Sequence, residues 1–199
     1  MAELTPSRSV ILELREERQS MADGYAFLDE KCLLLAGEIL KELARHAKLR
    51  AEVDEAFREA ASRLQAALGR HGLDELAVYP VADASLAAME RRPHAVMGVK
   101  LAAASQSAPP GPAAPAALPS PEAEACRAAF ALAIERCIPL AASSGNLARL
   151  SDEYRRSIRR ARALDDVLLP EADRTIAELE TMLEDLERED AIAMRLGAR

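Results

Sequence analysis

The side chains that most often carry chemistry are spread along this chain at spacings that build no reactive centre. The three histidines, His46, His71 and His94, lie far apart, and none stands four residues from another, the spacing that presents two imidazoles to one zinc ion. Cys32, Cys126 and Cys137 are odd in number and lack a C-x-x-C pair, which argues for reduced thiols and against a disulfide framework or zinc site. No G-x-x-x-x-G-K-[ST] or G-x-G-x-x-G motif occurs to cradle a nucleotide phosphate. Carboxylates are abundant, but they fall where solvated helix faces are expected. The reading is of a non-enzyme, with no catalytic, cofactor-binding or metal-ligating residue assigned and no cofactor required.

Charge, in contrast, is organised. Residues 149–162 hold six arginines, Arg149, Arg155, Arg156, Arg159, Arg160 and Arg162, against Asp152 and Glu153. Residues 165–190 reverse this, with eleven acids against Arg174 and Arg188. A guanidinium cluster can grip phosphates, meet an acidic protein face, or stand as plain solvated surface. Nucleic acid is disfavoured by a formal charge of −7, by an aromatic content of 3%, and by the acidic block that follows at once. The candidate partner interface is therefore Arg155, Arg156, Arg159, Arg160 and Arg162, with Glu184 and Glu187 of the acidic end.

The elements that must position these charges are long helices. Thr5-Pro6 is a start signal, an N-cap followed by proline where a missing N–H costs nothing. No further proline occurs before a stop at Gly69-Arg70-His71-Gly72. At ~1.5 Å per residue such a helix spans roughly 100 Å, too long to fold onto itself, so it needs a partner along its length. Apolar residues at alternating steps of three and four supply the seam: Leu14, Met21, Leu28, Leu35, Leu49 and Ala56 in one row, Ile11, Tyr25, Cys32, Ile39, Val53 and Ala60 in the other. Arg18, Glu42 and His46 interrupt it, and after Ala60 the phase is expected to slip to Phe57, Leu64 and Leu68.

A second long helix is predicted after Ser120-Pro121-Glu122, with a seam through Leu150, Tyr154, Leu164, Leu168, Leu179, Leu183 and Leu186. Kinks are expected near Pro139, Gly145-Asn146 and Pro170. Gly24, in mid-helix, either allows close backbone approach or is a tolerated flaw costing ~1 kcal/mol. The similar lengths of 6–70 and 122–197 imply that the chain turns back between them. The expected fold is all-α, a long antiparallel two-helix coiled-coil hairpin: 1–72 the first helix, 73–121 a head, 122–199 the second helix. In the head, residues 77–80 and 95–101 are short β-like runs that suggest one hairpin, and 107–121 is an Ala/Pro linker.

Composition agrees, since half the residues are apolar yet few are aromatic and none is Trp, a balance suited to long helices. The first fourteen residues have no apolar core, and no stretch approaches the ~18 apolar residues of a membrane span. A cytoplasmic protein that meets a membrane only through partners is expected.

Several blocks, in order, resemble one family. The run Tyr154-Arg155-Arg156-Ser157-Ile158-Arg159-Arg160-Ala161-Arg162-Ala163-Leu164, continuing through Asp165-Asp166-Val167-Leu168-Leu169-Pro170, is similar to the arginine-rich stretch, "NALE" turn and apolar pair before proline of the D subunits of V/A-type rotary ATPases. Leu4-Thr5-Pro6-Ser7-Arg8, Gly24-Tyr25-Ala26-Phe27-Leu28 with Lys31, and Val96-Met97-Gly98-Val99 match as well. Cys32 stands where the family has a second basic residue, and Arg162 where it has Asn. The 107–121 tract has no counterpart. The resemblance implies a central rotor shaft whose two ends enter a ring of catalytic (A) and non-catalytic (B) subunits, whose side binds the F subunit, and whose head couples through a membrane-ring adaptor subunit. It implies torque transmission without covalent chemistry, peripheral to the membrane. A generic cytosolic coiled-coil scaffold shares the seam but gives no reason for the ordered blocks. A membrane-surface amphipathic protein wants a basic face that this acidic chain lacks.

Overall fold

A computed structural model describes residues 7–77, 79, 89–106, 116 and 120–197. The expected start at Thr5-Pro6, the residues Val78 and Pro80, and the Ala/Pro tract from 107 to 119 apart from Ala116 lie outside the described residues. The chain is all-α, an antiparallel helical hairpin carrying a small β-hairpin: α1 (Arg8–Ala77), β1 (Met89–Val96), β2 (Val99–Gln106), α2 (Pro121–Ala163), a five-residue π-helical turn (Leu164–Leu168) and α3 (Leu169–Gly197). Two compact units divide it, one formed by residues up to Leu34 with those from Tyr154 onward, the other by Leu35–Glu153.

In the first unit, Arg8, Arg15 and Arg18 of α1 reach Glu187, Glu180 and Asp173 of α3. Rising numbers on one helix meet falling numbers on the other, so the segments are antiparallel. Ile11, Cys32, Ala161, Ala172 and Leu179 are buried along the contact. Gly24 faces Leu164, whose Cδ1 lies 3.8 Å from where a Cβ would stand, an ordinary contact. Close backbone approach is therefore not what keeps the glycine.

The second unit is antiparallel by the same test, with His46 beside Ser144, Glu52 paired to Arg136 at 3.0 Å and Arg70 paired to Glu122 at 2.6 Å. Leu35, Val53, Ala60 and Ala67 of α1 are buried. From Cys32 the inward positions run by sevens through Ile39, His46, Val53, Ala60 and Ala67, so this row keeps its phase, while Leu64 and Leu68, where a slip was expected, are half-buried and Arg63 is exposed. Phe57 is exposed instead. Ala67 continues beyond Ala60 the heptad expected from the sequence, with a side chain too small to be conspicuous there. Of the interruptions, Arg18 pairs with Asp173 and His46 hydrogen-bonds Ser144.

α1 does not stop at Gly72 but breaks there, at φ 73° and ψ 175°, before a last helical turn. Only glycine adopts that backbone cheaply. α2 starts at Pro121 with Ser120 as its cap, the hydroxyl accepting the Ala123 N–H at 3.4 Å while the Ser120 carbonyl accepts the Glu124 N–H. Neither Pro139 nor Gly145-Asn146 ends α2. The distortion lies just before Pro170: Leu169 N–H bonds the Leu164 carbonyl, five residues back. Pro170 has no N–H for the Asp166 carbonyl and its ring crowds the preceding turn, and a widened turn absorbs both defects.

The β-hairpin corrects another expectation. It lies wholly within 89–106, and Ala77 belongs to α1. Val96 pairs with Val99 across Met97-Gly98, both at positive φ (49° and 81°), the backbone of a tight two-residue turn whose twist matches the strands.

Candidate partner-binding surfaces

The arginine run lies on α2. Ser157 and Ala161 are buried, and a rotation of about 100° per residue places Arg155, Arg156, Arg159, Arg160 and Arg162 on one arc of about 160° facing away from them. All five are exposed. Among the described residues Arg155, Arg159, Arg160 and Arg162 form no ion pair. The guanidinium forks are thus open to carboxylates or phosphates, which they can bind bidentately. Arg149 differs, because its Nη2 donates to Asn146 Oδ1 at 2.9 Å.

The acidic end is partly engaged. Glu187 pairs with Arg8 at 2.7 Å, and Glu184 with Arg188 at 3.0 Å. Arg18 spans both oxygens of Asp173, and that hydrogen bond, then the charge, raises the guanidinium above its ordinary range. Glu171, Glu178, Glu189 and Asp190 have no ion pair among the described residues. An open groove of about 460 Å³ runs between α1 and α3, lined by Ile11, Leu12 and Leu183 and by charged residues that include Arg8, Arg15 and Glu184. These interhelical pairs escaped the sequence reading. Their signal was present, since Arg8 and Arg15 are seven apart and so are Glu180 and Glu187, the pattern of an antiparallel zipper.

Of the seam residues, Cys32, Leu35, Leu150 and Leu179 are buried. Leu14, Met21, Tyr25, Leu28, Ile39, Tyr154, Leu164 and Leu183 are half-buried. Leu168 and Leu186 are 40% and 45% exposed, which removes them from a buried seam. Leu168 is carried outward by the π turn, and Leu186 lies level with the first described turn of α1, where Arg8 meets Glu187. Burial raises the Cys32 thiol, with Asp29 adding to the effect, and burial alone raises that of Cys126. Both cysteines are free.

Among the described residues there is no group of three or more His, Cys, Asp or Glu able to hold a metal ion, and no helix long and apolar enough to cross a membrane. What the geometry defines is a paired-helix protein whose distinctive features are charged exterior surfaces. The family model for the ATP synthase D subunit matches residues 10–196, and the chain belongs to that family. It is 30% identical to a V-type ATP synthase D subunit of Anaeromyxobacter dehalogenans over 200 residues, covering 98% of this chain and 95% of that protein. It is similar also to the V-type ATP synthase D subunit of Thermus thermophilus, at 26% identity over 98% of this chain and 87% of that protein. The Thermotoga neapolitana protein of the same name is 25% identical over 96% and 95%.

Proposed function

We propose that this chain is the central-stalk subunit of a V/A-type ATPase or ATP synthase, a shaft that transmits torque between a nucleotide-binding ring and an ion-translocating membrane ring while doing no covalent chemistry itself. The observation that carries the reading is the family match over 10–196, which takes in both long helical regions and the β-hairpin. A generic scaffold offers no reason for such a match.

The partners are the A and B subunits of the ring, the F subunit and a membrane-ring adaptor, and the chain sits on the cytoplasmic side, held to the membrane through the complex. The paired ends enter the ring and the β-hairpin end faces the adaptor. Arg155, Arg156, Arg159, Arg160 and Arg162 are the bearing surface for acidic faces of the ring, with Glu184 and Glu187 a second. Physical chemistry supports that assignment. A rotor surface must release each contact as readily as it forms it, and exposed ion pairs are worth only about 0–1 kcal/mol. Deep apolar anchors would instead hold the shaft in one position.

The test is reconstitution with the ring and membrane sector, with ATP hydrolysis and ion pumping measured separately. Changing Arg155, Arg159, Arg160 and Arg162 together to Glu is expected to weaken assembly or uncouple hydrolysis from pumping, whereas Glu184→Gln alone leaves both close to the parent. ATP hydrolysis by the homogeneous chain, abolished by a point change in it, would overturn the proposal.

A further inference from the structure

Among the described residues, the β-hairpin is hydrogen-bonded to α2 at one residue, Ala102, through its N–H and its C=O. Val96–Val99 closes a two-residue turn, so hydrogen-bonded and non-hydrogen-bonded pairs alternate from it, and Pro93–Ala102 falls in a non-hydrogen-bonded position. Peptide groups there point away from the partner strand. Pro93 accordingly costs the ladder no bond, and Ala102 turns its N–H and C=O to the outer edge of β2.

A single side chain takes both. The Ala102 N–H donates to Asn146 Oδ1 at 3.0 Å, and Asn146 Nδ2 donates to the Ala102 carbonyl at 3.0 Å. Asn146 is 1% exposed and Ala102 is buried as well. The amide thus presents to β2 the donor and acceptor that a third strand would present, but from a helix. Arg149 adds orientation: its guanidinium can only donate, and it donates to Oδ1, so it stabilises the amide with nitrogen toward the Ala102 carbonyl. A Cβ at Gly145 would lie 3.4 Å from Arg149 Nη2, so the guanidinium passes in contact range of that glycine.

We infer that Asn146 is the positioning residue that sets how the β-hairpin is carried on α2, with Arg149 selecting the orientation of its amide. The inference rests on this geometry and is independent of the torque reading. Two neighbouring outward positions on β2, Lys100 and Ala104, serve as internal controls, because neither N–H has a side-chain acceptor among the described residues.

Amide hydrogen exchange followed by NMR on the full chain tests it. In the parent, the Ala102 amide should exchange about fivefold or more slower than those of Lys100 and Ala104, after correction for intrinsic rates, as a buried hydrogen bond requires. Asn146→Ala should erase that difference while helical circular dichroism persists, and Arg149→Met should erase part of it. Equal exchange at the three amides in the parent would overturn the inference whether or not the variant folds. So would an Ala102 amide that stays slow in a folded Asn146→Ala chain. Unchanged protection in Arg149→Met would remove Arg149 from it.

Discussion

At Gly24 a methyl group would find ordinary contact with Leu164 and nothing nearer. Gly24→Ala is therefore expected to raise stability by about 1 kcal/mol through helix propensity, read as a higher urea midpoint at unchanged m-value. A decrease would mean that α1 needs a flexible point there. Cys32 and Cys126 have thiols raised by burial, so alkylation at neutral pH should spare both until denaturant is added. Glu122 gives a pH dependence of known sign. Its own backbone N–H, then Arg70 and Ser120, hold its carboxyl below the ordinary glutamate range. A carboxylate with a lowered folded-state value stabilises at neutral pH, and that contribution disappears as pH falls through the lowered value. Glu122→Gln should flatten the acid limb of the stability profile without changing its alkaline limb.

At the scale of elements, the seam and not the outer face holds the helices together. Leu35 has no exposed surface, whereas Leu33 two positions earlier is 69% exposed. Leu35→Ala should cost roughly 2–5 kcal/mol, and Leu33→Ala less than about 0.5 kcal/mol. Thermal and urea melts of the two variants check this, and equal losses would show that the outward leucine packs on something in solution. Much of this was legible, because Leu and Ile at heptad spacing read directly as a seam. What was hidden had physical causes. Ala67 buries completely yet carries little hydrophobic signal. The two strands read weakly, since Met89–Val96 holds Glu90, Arg91, Arg92 and Pro93, and Val99–Gln106 runs through three alanines. Residues 95–101 read as one β-like run, although Met97-Gly98 within it forms the turn that separates the two strands. Pro170 announced a distortion, but proline alone does not specify whether a helix bends, breaks or widens.

Over the whole molecule, ion pairs tie distant parts of the chain, Arg8 to Glu187 and Arg70 to Glu122 among them, and each member is at least partly exposed. Such pairs are screened when the Debye length falls to about 3 Å in about 1 M salt. Raising salt to that level should lower the melting temperature only slightly, and a collapse of helical signal would show that charge, not apolar burial, holds the helices together. The division of charge between residues 149–162 and 165–190 was readable from residue order alone, because a helix displays its sequence in linear order along its axis. Which of those charges are already engaged was not, since that depends on the reversed numbering of the opposing helix. The π turn at Leu164–Leu168 has one more consequence. A widened turn is an α-helix with one residue too many, so losing a single codon between Ala163 and Leu169 should return this stretch to α-helical register with the downstream contacts still in phase, while putting Pro170's missing hydrogen bond and ring clash back into the helix. The same loss elsewhere in α2 or α3 would turn every later residue by about 100°. Within the continuous helical region 121–197, the π turn is thus a place where one residue can be lost without misaligning the contacts on either side.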